Sequence, residues 1–394
     1  MDAPHLIRRR DALALLAAPQ PSAQSQPTSP TAADTGSLYP LIEQLARRTA
    51  GAPPLPQAES RKLVFQTLGY TPPPVPPQPE VLERTDLGDI IREKLVFSTT
   101  PDFRVPAYFH LPKNRPARIP AIVDLHSHGG MFIYGKEKVI DFGDNHPALS
   151  DYHRVNYAGR PTATALARRG YAVLTIDAFP FGERRLMMDA DLKFGWDRSK
   201  YSLDDIQRLN AVCRQKESAI VKSLVFAGMT WPGIVAWDDI RTVDYLVTRP
   251  EIDPARIGCC GVSLGGYRSL LLSGLDDRIA AACVVGFMST VRPMIQRHIE
   301  THSFVHFIPG LHAHLDLPEV VALRAPKPLF VLQCKKDGLF PLSGMEEAVQ
   351  KIAAAYGKAG AKSAFTAKFY DVPHIFNIEM QDDAFAWLDH HLKS

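Results

Sequence analysis

Short apolar runs alternate with helical stretches from residue 119 onward, and this rhythm constrains the fold more than any other feature. Residues 119–125 (IPAIVDL), 171–176 (YAVLTI), 256–262 (RIGCCGV), 279–285, 329–334 (LFVLQC) and 364–370 read as strands. Residues 162–169, 234–247, 345–356 and 382–392 carry apolar residues at helical spacing. Most of these strands are apolar throughout rather than alternating, so they are covered on both faces. The pattern predicts an α/β fold: a mostly parallel, twisted central sheet with helices on both faces. Ahead of it, residues 90–99 and 103–111 alternate like two antiparallel strands around a turn at Pro101-Asp102. Segments 131–160, 181–230 and 289–317 break the rhythm and read as excursions over one edge of the sheet.

Composition sets the domain boundaries. The chain has 394 residues, and its 33 prolines outnumber its 25 glycines, an inversion of ordinary usage. Much of the excess lies near the start. Arg8-Arg9-Arg10, the apolar residues 12–18 and a Pro/Ser/Gln/Thr run form a segment over 1–36. It reads either as a twin-arginine-like signal, which would make the protein periplasmic or secreted, or as the disordered tail of a cytoplasmic protein. Residues 37–89 read as a helical extension ending in the stiff connector TPPPVPPQP, and 90–394 as one catalytic-size domain.

Several classes are excluded. With 45 basic against 42 acidic residues and no basic stripe, no nucleic-acid groove is expected. No run approaches the ~18 apolar residues of a spanning helix. The five cysteines show no paired C-x-x-C spacing, and Cys259 and Cys260 are expected buried and unpaired.

Gly261-Val262-Ser263-Leu264-Gly265 matches G-x-S-x-G and lies between a strand and a helix-like stretch, the setting of a nucleophile elbow. A serine hydroxyl needs a base, and the base needs an orienting carboxylate. Asp337 follows the strand 329–334, and His374 follows the strand 364–370, giving the chain order Ser263, Asp337, His374. Asp316 and Asp371 are the rival acids. Two backbone donors must face the oxyanion. The amide of Leu264 is one; the loop His126-Ser127-His128-Gly129-Gly130 supplies the other through Gly130 or Gly129. His128, Asp177, Arg184 and Tyr267 are candidates for lining a pocket; for Asp177 and Glu183-Arg184-Arg185 a hydrogen-bonded structural role around the site's rim is the favoured alternative. His298, His302, His306, His312 and His314 are grouped as a metal site would be, but no carboxylate or cysteine motif accompanies them. Neither metal nor cofactor is expected.

On these residues the chain resembles the α/β-hydrolase superfamily over about residues 90–392. More narrowly it is similar to the bacterial dienelactone-hydrolase and acetyl-xylan-esterase-like branch. The passages that carry the resemblance are His128-Gly129-Gly130, residues 171–184, 237–262, Ser263-Leu264-Gly265-Gly266-Tyr267, 328–337, and Pro373-His374 with Phe376-Asn377. Dienelactone hydrolases use a cysteine nucleophile, where this chain has Ser263. Gly-x-Ser-x-Gly-Gly-Tyr also resembles prolyl-oligopeptidase-type peptidases, but residues 1–89 are too short for their propeller. The resemblance implies a serine esterase acting on small acyl groups, such as acetyl on a small-molecule or carbohydrate ester. Lactone, amide or C–C bonds on the same triad, or a silent binding protein on the same fold, are the alternatives.

Overall fold

The computed structural model describes residues 55–393 apart from 196, 296 and 297, together with Gln44. The segment 1–36 and the first part of the expected helical extension, 37–54, lie outside these residues, Gln44 aside.

Nine strands form one sheet: β1 (Glu80–Asp86), β2 (Ile90–Ser98), β3 (Arg104–Pro112), β4 (Ile119–Leu125), β5 (Ala172–Ile176), β6 (Ile252–Val262), β7 (Ile279–Val285), β8 (Leu329–Cys334) and β9 (Phe365–Tyr370). Their order is β1-β2-β3-β5-β4-β6-β7-β8-β9. The first three join antiparallel, and β3 pairs antiparallel with β5; from β5 to β9 all pairs are parallel. The strands expected from 90 onward are present within a few residues of their expected ends. β1 is an addition, formed by the residues that directly follow the expected connector. Its side chains are exposed at every position but one, so it lacks the apolar signal that marks the others.

The central strands divide their side chains between two cores with period two. Ile257 and Cys259 of β6 face one core, Cys260 and Val262 the other; Leu329 and Val331 of β8 part from Phe330 and Leu332 in the same way. Helices Trp231–Leu246, Leu264–Leu275 and Leu342–Lys358 cover the first face, and Thr162–Arg168 and Ile378–Leu392 the second. All five cysteines are buried and free.

The three excursions have structure of their own. The first holds a short 3-10 turn, Lys136–Val139, and the helix Pro147–Tyr157. The second contains the helix Leu203–Phe226, 24 residues long, opened by a capping box between Ser202 and Asp205. The third is a chain of 3-10 turns that includes Phe304–His306.

Candidate active site

The strand β6 runs into the helix Leu264–Leu275 through Ser263, whose φ of 61° and ψ of −122° place a non-glycine residue in a sparsely populated region. Such a conformation costs ~1–3 kcal/mol and persists only where its surroundings enforce it. Here the Ser263 amide donates to Val285 O at 2.9 Å, and the Tyr267 amide closes the turn on Ser263 O at 2.9 Å. The glycines are required by crowding. A Cβ at Gly261 or Gly265 would collide with the Leu125 carbonyl oxygen, and one at Gly266 would lie 2.6 Å from Val285 O. The turn therefore packs directly against the ends of β4 and β7.

His374, on the loop after β9, is brought to the same place. A Cβ on Gly286 would lie 3.5 Å from His374 Cε1 and 3.5 Å from Val262 Cγ2, so the imidazole sits over Gly286 beside the residue that precedes Ser263. Its Nδ1 bonds Asp337 Oδ2 at 2.5 Å, and Asp337 Oδ1 accepts the Leu339 amide at 2.9 Å. Burial opposes ionisation of His374, but the charge and hydrogen bond of Asp337 outweigh it and hold its pKa above the ordinary 6.5. His374 Nε2 is buried and, among the described residues, has no hydrogen-bond partner. It is the nitrogen that a serine base must present, and such bonds often tighten only in a complex.

The rival acids lie elsewhere. Asp371 forms an exposed ion pair with Lys336 at 2.8 Å, and Asp316 caps the helix Leu317–Ala322.

The oxyanion loop differs in one particular from expectation. The Gly130 amide donates to His128 Nδ1 at 3.0 Å, so it is already committed. Among the described residues the amides of Leu264, Gly129 and His128 have no acceptor. Gly129 has φ +53°, and a Cβ there would collide with the Tyr152 hydroxyl, which explains the glycine. Of the two glycine amides expected to face an oxyanion, the one of Gly130 is thus spent within the loop and the one of Gly129 is open, as is that of His128.

His128 is a buried strut. With Nδ1 accepting from Gly130, Nε2 is the protonated nitrogen and donates to Glu217 Oε1 at 3.1 Å. Its ring is held edge-on by Phe132 and Phe181, themselves stacked at 4.9 Å. Glu217 comes from the helix Leu203–Phe226, a partner with no local sequence signal. Behind the loop, Lys138 Nζ donates to Ser127 O at 2.8 Å and His128 O at 2.9 Å, and stands 4.3 Å from the Phe181 ring centroid.

Two expected pocket residues belong to this support instead. Asp177 is fully buried; it accepts the Lys136 and Glu183 amides and pairs with Lys136 Nζ at 2.6 Å. Arg184 Nη1 bonds Asp238 at 2.6 Å and Asp177 O at 3.1 Å. Glu137, Asp177 and Glu183 form the kind of carboxylate group that holds a metal ion. Lys136 Nζ lies 3.0, 2.6 and 2.8 Å from them, so the protein's own ammonium occupies the position of a cation. Tyr267, by contrast, stands one helical turn from Ser263.

The model of the Abhydrolase family matches residues 56–378. The chain belongs to that family. The mostly parallel sheet with helices on both faces described above is the α/β-hydrolase fold. A provisionally named hydrolase, YtaP of Bacillus subtilis (strain 168), is 28% identical over 312 residues, 78% of this chain and 91% of its own. Among solved structures, a provisionally assigned acetyl xylan esterase from Bacteroides fragilis NCTC 9343 superposes with TM-score 0.63 at 19% identity, covering 85% of this chain and 82% of that one. A glucuronoyl esterase from Solibacter usitatus gives TM-score 0.56 at 14% identity, over 84% and 92%. At these identities the structural likeness speaks for the α/β-hydrolase fold.

Proposed function

We propose that this α/β-hydrolase cleaves carboxylic esters of small acyl groups, with acetylated carbohydrate as the substrate class. The observation that carries the reading is the Asp337–His374 pair at 2.5 Å, set beside a strained elbow serine. His374 takes the proton of Ser263 through Nε2 as Oγ attacks the ester carbonyl. Asp337 fixes the ring and stabilises the imidazolium. The oxyanion draws on the Leu264 amide and on a donor from His128-Gly129, each such donor contributing ~3–4 kcal/mol to the transition state. The imidazolium then protonates the departing alcohol, and water, activated by the same nitrogen, releases the acid from the acyl-enzyme. The acetyl xylan and glucuronoyl esterases among the structural relatives support an ester on a sugar.

The test is a fluorophosphonate probe with p-nitrophenyl acetate turnover. Wild type should label and turn over; Ser263→Ala should do neither, with the same thermal melt. Labelling that survives in Ser263→Ala would overturn the assignment of the nucleophile.

A further inference from the structure

The histidines of the third excursion have been given no role, and one of them stands at the catalytic centre. The turn Phe304–His306 packs against the helices Leu203–Phe226 and Trp231–Leu246. The His306 ring meets Tyr267 edge-on at 5.1 Å, Phe287 at 4.8 Å and His302 at 5.4 Å. Each neighbour ties it to the triad. Tyr267 follows Ser263 by one turn, and Phe287 follows the Gly286 on which His374 rests. Phe340 spans Phe287 at 5.0 Å, His302 at 4.8 Å and His374 at 6.5 Å.

His302 is satisfied, its Nε2 bonded to Leu339 O at 3.0 Å. His306 is not. Both its ring nitrogens are buried and, among the described residues, have no partner; the same holds for the Tyr267 hydroxyl and for His374 Nε2. A buried polar group left unpaired is costly, so each one in a folded protein requires an explanation. For His374 Nε2 the explanation is the reacting serine and leaving oxygen. The orphans at His306 and Tyr267 belong to the same packed cluster as His374, and the same explanation extends to these two: their partner arrives with the substrate.

A metal is a poor candidate for that partner, because His302 has already committed Nε2 and its ring lies at 84° to that of His306. Burial, followed by the nearby His302, His128, Arg214 and His374, pushes the His306 pKa well below the ordinary value, so its ring is neutral. A neutral imidazole has one donor and one acceptor, the complement of a hydroxyl group.

We propose that His306, backed by the Tyr267 hydroxyl, binds a free hydroxyl on the alcohol part of the ester, next to the scissile oxygen. The inference rests on the esterase reading and narrows it to esters of polyols such as partly acetylated pyranosides. An acetyl group has no hydroxyl to offer, so the contact belongs to the sugar side. A site built to pair with a hydroxyl discriminates strongly against substrates that lack one.

The test compares kcat/KM on a mono-O-acetyl methyl xyloside with that on p-nitrophenyl acetate, which has no hydroxyl. His306→Phe should lower the ratio of kcat/KM on the acetylated xyloside to kcat/KM on p-nitrophenyl acetate by ~10- to 100-fold, the equivalent of one lost hydrogen bond. His306→Gln, which keeps a donor and an acceptor, should recover part of the loss and guards against misfolding in the Phe variant. Equal losses on both substrates, or none on either, would overturn the contact while leaving the esterase reading intact. So would a wild-type chain that cleaves p-nitrophenyl acetate and not the acetylated sugar. A wild-type chain inert towards both esters would overturn both.

Discussion

Two buried aspartates each stand against a basic partner, and on the proposed mechanism they do opposite work. Asp177 pairs with Lys136 at 2.6 Å and accepts two backbone amides; the ammonium is shared with Glu137 and Glu183. Every strong group in that block has its partner inside the protein. Asp337 pairs with His374 at 2.5 Å, but the far nitrogen of the imidazole is unpaired, and so are the neighbouring His306 and Tyr267, among the described residues. The first block is closed and supports the loop; the second is left open for a reacting group. Buried polar networks are stable when fully paired and costly when not. The open one is retained, on this reading, because substrate completes it.

Substitution should separate the two aspartates cleanly. Asp337→Asn should lower kcat by ~10⁴-fold, since it removes the charge that stabilises the imidazolium and the acceptor that fixes its tautomer. Its urea midpoint should barely move. If the variant keeps full activity, Asp337 is not the triad acid. Asp177→Ala should do the reverse, costing ~3–5 kcal/mol of unfolding free energy by leaving the Lys136 ammonium underpaired in a dry site. Any loss of kcat should follow from the loosened loop. A stable Asp177→Ala with no activity would move Asp177 from the support into the catalytic site.

Glu217 tests how the closed side reaches the open one. It touches no reacting atom; it holds His128, which holds the Gly130 amide. Glu217→Ala should therefore lower kcat by about tenfold with KM nearly unchanged, a fraction of the loss when an oxyanion donor is removed outright. Glu217→Gln, still able to accept from His128 Nε2, should restore most of it. A rise in KM with kcat intact would instead place Glu217 against substrate.

The proposed catalytic side is far easier to read from sequence than its support. An elbow is local: its serine and crowded glycines fall within six residues, 261–266, and the flanking strand and helix have strong apolar signals. Asp337 and His374 follow recognisable strands, so register alone finds them. Asp177 also follows a strand, yet its partner Lys136 lies 41 residues earlier in an excursion, and no periodicity links them. Glu217 sits on a long helix within a segment whose sequence shows only an interruption of the α/β rhythm. That the Gly130 amide already has an acceptor is invisible in sequence, which cannot show that the neighbouring His128 ring folds back onto it. β1 escapes a sequence reading because a solvent-facing edge strand has no buried face to betray it.

The smallest effect concerns pH, and there the two regions pull apart again. His374 must be neutral to act as a base, and Asp337 raises its pKa above 6.5. Activity should therefore fall as pH drops through that raised value. In Asp337→Asn the opposing influence of burial is left alone, and the residual activity should persist to lower pH. Most of the other buried histidines shift the opposite way. Burial lowers His110 to about 3 and His302 and His312 to about 4, and it lowers His126, His128 and His306 as well. The unfolded chain takes up protons at these residues below about 6.5 while the folded chain does not, so their contribution to stability declines only as pH falls below that point. His374, with its raised pKa, contributes stability with the other sign, present below about 6.5 and lost as pH rises through its folded value. The acid limb of activity thus lies above the onset of acid destabilisation. Enzyme held briefly near pH ~6 should lose much of its turnover while still folded, with a lower melting temperature than at about pH 8, and recover fully on return to about pH 8. Loss of turnover and loss of the folded state at one common pH would show that His374 is not held above its ordinary pKa, and would remove the electrostatic distinction between the two aspartates.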